Sequence, residues 1–534
     1  MLIKATVHVR KWWPAPPLFG LLALFIYTGW VGLDFGRHWD EFIHYNHVVN
    51  TLRSGIILPF KCSYNFCYIY PSITYFLSFI TTTLSLLMDG GVSHVREAAA
   101  GGLSLHDFGL ITRPAFLFIC ALSGLWVYVA LSKTDRIAAT IAAAIPLLSW
   151  EYAYHARWIA PDAVMAQFCA LWVLAIFRAE GAANARQWLI FATIAAALAT
   201  GTKYTAGALF FATIFFAWLI ECGAVRQLKL GKFPLKFSSL LLAIFIATFI
   251  VTTPGAILQP VDFIRDVRAG SSHYAAGHFP TYGVSSYDIR GAFDYAARLW
   301  EYIGLALLSP IPALSLMLLV TAPLGYLSLR KNGKCSSAVT LVTVLLFYTL
   351  FFSSRTSVFI VRNFLFFLPI IAVLIGAGIS SMIRGARVTQ ILAMALLFVA
   401  GVTNAYSLVT AARTISPNSD SMLVGQLSEY IERHPSEKFA LSRSLSRDMR
   451  GRRAVNQATV AQADIFVYRD SDLRSTPSIT LKDYPGTRHN TFVWIGPHEV
   501  NYNYYPTWEG RDRILLLPLK DAVRMGLPAV IPQP

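Results

Sequence analysis

Runs of about twenty apolar residues recur eleven times along this 534-residue chain, and that recurrence decides most of what it can fold into. Inside a bilayer the backbone must satisfy its own hydrogen bonds, so each run is read as a spanning helix. The runs lie near 17–34, 108–131, 136–152, 161–178, 187–201, 204–222, 238–255, 302–328, 337–353, 361–382 and 388–410. A net charge of +16 would suit a nucleic-acid binder, but the Lys and Arg sit in short connectors rather than on one basic face. With the amino terminus inside, the inner connectors hold Lys133 and Arg136, Arg178 and Arg186, Arg226 to Lys236, Arg330 to Lys334, and Arg384 with Arg387. All of them obey the positive-inside rule. Pro14, Pro16 and Pro17 lead into the first run with no small-residue cleavage site, so that run is read as a retained anchor.

Residues 70–88 form a further apolar stretch. Counted as a span, it would reverse every later connector and put Asp162 on the opposite side from Asp40. Read as an interfacial helix or hairpin on the outer face, it preserves both the charge rule and the shared side of the two carboxylates. Beyond residue 411 the composition turns polar. Residues 1–411 are therefore read as a polytopic helical domain and 412–534 as a small α/β domain outside the membrane. In the latter, Leu423, Leu427, Tyr430 and Ile431 mark an amphipathic helix, and 438–442, 463–468, 491–496 and 513–517 are strand-like. Cys62 and Cys67 share one polar loop. A disulfide there suits an oxidising compartment, and whether it forms stays open.

The chemistry gathers on the outer side. Asp40 and Glu41 follow the first run, and ionisable groups so near a bilayer are costly and usually functional. His155, Arg157 and Asp162 join runs three and four, Lys203 and Tyr204 join runs five and six, His273 and His278 lie in the 256–301 loop, and Arg355 and Arg362 flank the mouth of a late run. Carboxylates among cations at headgroup level suit transfer from a polyprenyl-phosphate-linked sugar. Cations stabilise the departing phosphate, and a carboxylate takes the acceptor proton. Structural roles compete with this: Asp162 follows Pro161 in a first helical turn, and Lys203 can reach the interface as an anchor. No Gly-rich phosphate loop, dinucleotide fingerprint, His-Glu-x-x-His or nucleophile elbow is found, so a nucleotide-sugar donor has no evident domain.

Six pieces in order resemble the C-type-fold membrane glycosyltransferases, in the branch of the protein O-mannosyltransferases and lipid A aminoarabinose transferases. They are Asp40-Glu41 with Tyr45, Gly55 and Pro59; Tyr70-Pro71 with Tyr75; Ala156-Arg157 with Pro161-Asp162; Gly201-Thr202-Lys203-Tyr204; Thr253-Pro254 with Phe263 and the His273–His278 stretch; and Arg362-Asn363-Phe364-Leu365 with Pro369. The resemblance implies an inverting transferase that uses a polyprenyl- or dolichyl-phosphate monosaccharide. Asp40 would be the base, with Glu41 and Asp162 in support; Lys203, Arg355 and Arg362 would hold the donor phosphate, and Tyr45, Arg157, Tyr204, His273 and His278 the substrates. One departure is Ile69-Tyr70, where some members carry an acidic-basic pair. The carboxy-terminal domain matches no motif of the family.

The expected activity is transfer of one sugar to an outer-face acceptor, an envelope glycolipid or polysaccharide, by a multi-pass protein of the cell membrane. No ligand spacing demands a metal, although the carboxylates are numerous enough to hold one. The alternative, a transporter or lipid flippase, would want charges at mid-membrane rather than at span ends. An inactive scaffold is the third possibility.

Overall fold

The computed structural model describes residues 15–34, 39–59, 67–221, 235–275, 289–355, 359–415, 420–441, 463–469 and 514–518. Its elements begin with α1 (Ala15–Val31), α2 (Trp39–Ser54), α3 (Ile73–Glu97), α4 (Leu105–Ser132), α5 (Arg136–Leu148) and α6 (Trp150–His155). They continue with α7 (Pro161–Ala179), α8 (Ala185–Thr200), α9 (Ala208–Glu221), α10 (Leu235–Thr252), α11 (Pro260–Ala275) and α12 (Ile289–Tyr302). Last in the bundle are α13 (Pro312–Val320), α14 (Ala322–Lys331), α15 (Cys335–Arg355), α16 (Phe367–Ile383) and α17 (Arg387–Ile415). Among the described residues, eight helical stretches are long and apolar enough to cross a membrane, and four shorter apolar helices accompany them. The eleven runs read from the sequence all fall on these helices. One start moves: the run drawn from 302 begins at Pro312, the first helical residue, where proline's fixed φ suits a helix start. Of the residues before it, Tyr302 ends the separate amphipathic helix α12 and Ile303–Leu307 form a short π-helical turn.

Local signals set the ends. Ser104, Asp135 and Ser149 accept the amide hydrogens of Asp107, Ala138 and Tyr152 and so cap α4, α5 and α6. Gly55, at φ 72°, closes α2 with its amide bonded to the Thr51 carbonyl at 2.8 Å. The stretch that the sequence left ambiguous becomes α3, kinked at Gly90 and at Gly91, where φ is 66°. Both of its ends lie on α2. Near its start, the Tyr75 and Thr51 hydroxyls are 2.6 Å apart. Past its finish, Arg53 Nε donates to Ala99 O at 3.1 Å and the Tyr45 hydroxyl to Leu103 O at 2.8 Å. The stretch therefore leaves α2 and returns to it, and does not carry the chain to the other end of the bundle.

The core is densest around α7 and α16, whose side chains are buried almost throughout. At the end of the bundle away from the amino end of α7, the Glu180 carboxylate accepts from the Ser336 and Ser337 amides at 2.8 and 2.9 Å. Lys334 Nζ there donates to Phe177 O and Glu180 O, and Ser380 Oγ to Asp135 at 2.7 Å. Past the bundle come α18 (Asp420–Arg433), β1 (Phe439–Leu441), β2 (Ile465–Arg469) and β3 (Ile514–Pro518). β2 pairs parallel with β1 and antiparallel with β3, and Leu427, Ile431, Phe439, Leu441 and Val467 form a small core. The strand-like run 491–496 lies outside the described residues.

Candidate active site

Four separate chain segments bring charges to one end of the bundle. Asp40 enters in the first turn of α2. Asp162 follows Pro161 at the amino end of α7, where a helix favours negative charge. Lys203 stands after α8, in extended conformation before a short 3-10 turn (Tyr204–Gly207). Arg362 and Asn363 lie in a second such turn, Val361–Phe364, that leads into α16.

These side chains form one buried network. Arg362 Nη1 donates to Asp40 Oδ2 at 2.5 Å, the two side chains being 3% and 2% exposed. Arg362 Nε stands 3.6 Å from Asp162 Oδ2, an ion-pair distance beyond hydrogen-bond length. Lys203 Nζ donates to Asp162 Oδ1 and to Asn363 Oδ1, each at 2.5 Å. The Tyr70 hydroxyl donates to Asp40 Oδ1 at 3.2 Å. Burial pushes the Asp40 carboxyl above its ordinary value, and the neighbouring Arg362 opposes that rise. Two carboxylates and two cations thus alternate.

Glu41, one residue on, turns elsewhere. Its carboxylate takes two hydrogen bonds from Arg113, Nε to Oε1 at 3.0 Å and Nη2 to Oε2 at 2.7 Å. The Ile159 amide donates to Oε1 at 3.3 Å, and Arg113 Nη1 donates to Leu33 O at 2.6 Å. This clamp ties α2 to α4, to the end of α1 and to the approach to Asp162. The sequence reading grouped Glu41 with the catalytic carboxylates; in the structure its carboxylate is paired with Arg113 rather than with Arg362 or Lys203.

Three residues expected to touch substrate direct polar atoms at backbone. Tyr45 donates to Leu103 O, Arg157 Nη1 to Gly32 O at 3.1 Å, and Tyr204 to Tyr68 O at 2.9 Å. Tyr68 is itself tied to α11 and the residue before it: its amide donates to Asp266 Oδ2 at 3.0 Å and its hydroxyl to Gln259. His273 lies in the last turn of α11, its ring edge-on to Tyr274 at 6.4 Å. His278 lies outside the described residues, as does the side chain of Arg355. Cys67 is disulfide-bonded to a partner that is outside them too. His155, nearby, donates from Nδ1 to the Glu151 carbonyl at 2.7 Å.

The sequence reading missed Arg113 and Asn363. Arg113 had a signal, as a lone cation inside the apolar run 108–131. Asn363 had none beyond its place beside Arg362. Among the described residues, no group of three or more His, Cys, Asp or Glu could hold a metal ion.

The apo structure of ArnT from Cupriavidus metallidurans is similar over 95% of this chain and 98% of that one, with TM-score 0.53 and 12% identity. The two chains share a fold. Residues 105–251 also match the family described as dolichyl-phosphate-mannose-protein mannosyltransferase. ArnT bound to undecaprenyl phosphate aligns at TM-score 0.49 and 12% identity over 93% of this chain and 97% of that one. The oligosaccharyltransferase AglB of Archaeoglobus fulgidus, in complex with an inhibitory peptide and a dolichol-phosphate, aligns at 0.49 and 13% identity over 87% and 70%. Among curated proteins none matches this sequence.

Proposed function

We propose that this protein is a glycosyltransferase that moves one monosaccharide from a polyprenyl-phosphate carrier to a hydroxyl of an extracytoplasmic glycolipid or polysaccharide. The observation that carries this reading is the buried alternation of Asp40, Arg362, Asp162 and Lys203 at the ends of membrane helices. Asp40 acts as general base on the acceptor hydroxyl, whose oxygen attacks the sugar carbon from the face opposite the phosphate, with inversion. Lys203 and Arg362, with Arg355 as a third candidate, take up the charge of the leaving phosphate. Asp162 keeps both cations in place until then. The phosphate's charge is met by side chains, so the reaction as drawn requires no metal.

The family match and the fold support a lipid-linked donor. Basic connectors at the end of the bundle away from the site support an outer-facing site, with the amino terminus inside. In this reading residues 1–411 carry the transfer and 412–534 lie outside the membrane as a separate domain. A transporter would place its ionisable residues along a mid-membrane path. Here Asp162, Lys203 and Arg362 all stand at helix ends.

The test is mass spectrometry of envelope glycolipids and polysaccharide from cells that carry the wild type, Asp40→Asn or no copy. The expected result is one monosaccharide missing from both the mutant and the null, with the mutant protein still in the membrane. Identical profiles in all three would overturn an envelope acceptor. A mutant that matches the wild type while the null differs would remove Asp40 as the base.

A further inference from the structure

General-base transfer leaves one proton on Asp40 in every turnover. On the reading above, the acceptor oxygen bonds the sugar carbon, the phosphate leaves with its electron pair, and the hydroxyl proton stays on the carboxylate. That carboxylate is buried and flanked by Arg362, so the proton must be conducted away before the next cycle.

The structure offers a path on one side. Tyr70, whose hydroxyl touches Asp40 Oδ1, also lines a small, partly open cavity with His44, His47, Pro59, Ser72 and Tyr75. The cavity measures ≈ 10 Å³ to a water-sized sphere, about the room one water needs. Four side-chain atoms of its walls have no hydrogen-bond partner among the described residues: His44 Nδ1 and Nε2, His47 Nε2 and Ser72 Oγ. Their residues are only 2%, 5% and 2% exposed. Burying polar groups without partners is costly, so this chamber suits a polar occupant. Among the described residues its walls carry no Lys, Arg, Asp or Glu, which suits water better than an ion.

Sequence spacing explains the alignment. Residues 40, 44 and 47 fall on one stripe of α2, at steps of four and three. His44 stacks on the Tyr70 ring at 6.5 Å, and His47 stands edge-on to Tyr75 at 5.7 Å. The stripe runs from the carboxylate toward the exposed turn at Ser54, Gly55 and Ile56. Burial holds His44 at about 3 and His47 at about 4, so both rings are neutral and pass a proton on rather than keep it.

We propose that His44 and His47, with water in this chamber, form a proton relay that empties Asp40 through the Tyr70 hydroxyl toward the outer end of α2. Asp40 hands its proton to the Tyr70 oxygen as Tyr70 releases its own to the chamber, and the two imidazoles deliver that proton to bulk water. The relay rests on Asp40 being the base.

The experiment uses the purified full-length protein. The donor is the total polyprenyl-phosphate sugar extract of cells that lack the enzyme, and the acceptor is the envelope fraction of the same cells. Turnover is measured for wild type, Asp40→Asn, His44→Ala, His44→Gln and His47→Gln in H₂O and D₂O, with and without imidazole. His44→Ala should lower kcat about a hundredfold, the lower end for a placed acid–base group, with KM unchanged. The solvent isotope effect should rise, and imidazole should restore turnover. A wild-type kcat in His44→Ala, or a fall that imidazole and D₂O leave untouched, would overturn the relay. His44→Gln decides by its isotope effect if the alanine variant fails to accumulate. If Asp40→Asn is inactive while the histidine variants turn over normally, only the relay fails. If Asp40→Asn is active, the base assignment fails with it.

Discussion

Asp40 and Glu41 are neighbours in sequence, equally buried and each paired with an arginine, yet they belong to opposite kinds of site. Glu41 meets Arg113 through two parallel hydrogen bonds, and both partners spend further capacity on backbone, at the Ile159 amide and the Leu33 carbonyl. Asp40 meets Arg362 through one nitrogen, while that guanidinium leans toward Asp162 at 3.6 Å without closing a second short bond. One step along a helix turns a side chain through about 100°, so adjacent acids face different elements. A closed bidentate pair fixes geometry. A shared, incompletely closed one can be re-partitioned when substrate brings its own charge.

The largest effect separates the two by what is lost. Asp40→Asn keeps the shape and removes the proposed base, and should cut turnover by about 10²–10⁴ with thermal stability near wild type. Arg113→Ala should do the reverse. It strands the Glu41 carboxylate in the interior, and breaking a buried pair on one side costs about 3–5 kcal/mol. The readouts are membrane yield and the midpoint of thermal unfolding in detergent. Replacing both partners, Glu41→Leu with Arg113→Met, should recover most of that stability, because no charge is left alone. If Arg113→Ala is stable but inactive, the clamp belongs to the chemistry and the contrast dissolves.

A smaller effect tests the other cation. Lys203 bridges Asp162 and Asn363. Lys203→Met should raise the KM for donor lipid about 10–100-fold, the worth of one hydrogen bond to a charged group, with a lesser change in kcat. An unchanged KM with a reduced kcat would move Lys203 from donor binding to the transition state.

Much of this was legible because a bilayer imposes strong rules. Twenty-residue apolar runs marked the helices, and basic connectors with the shared side of Asp40 and Asp162 set residues 70–88 apart from them. Asp162, Lys203 and Arg362 were legible for the same reason, as charges at the ends of apolar runs. The partition between Asp40 and Glu41 was not. It depends on which helix each side chain faces, and a one-residue difference in the helix start would exchange them. Tyr45, Arg157 and Tyr204 show the same limit: the sequence gives a polar side chain near the site, but only packing decides that its partner is a carbonyl. Arg113 was overlooked because an apolar run is read by its average, and a single cation barely changes that average.

The mildest test is acidity, and its sign follows from the same contrast. Asp40 must be ionised to accept a proton, so activity is full above the carboxyl's folded pKa and falls as pH drops through it. Burial raises that pKa, and Arg362 is the main influence that holds it down. The acid limb of kcat/KM should therefore lie above the ordinary aspartate value of about 3.9. Arg362→Gln should move the limb further up, since the opposing charge is gone while the burial remains. Glu41→Gln should leave the limb where it is, because Glu41 is paired with Arg113 and not with Arg362. Rate against pH for the three proteins checks this. A limb that shifts with Glu41 and not with Arg362 would mean that the two carboxylates had been assigned the wrong way round.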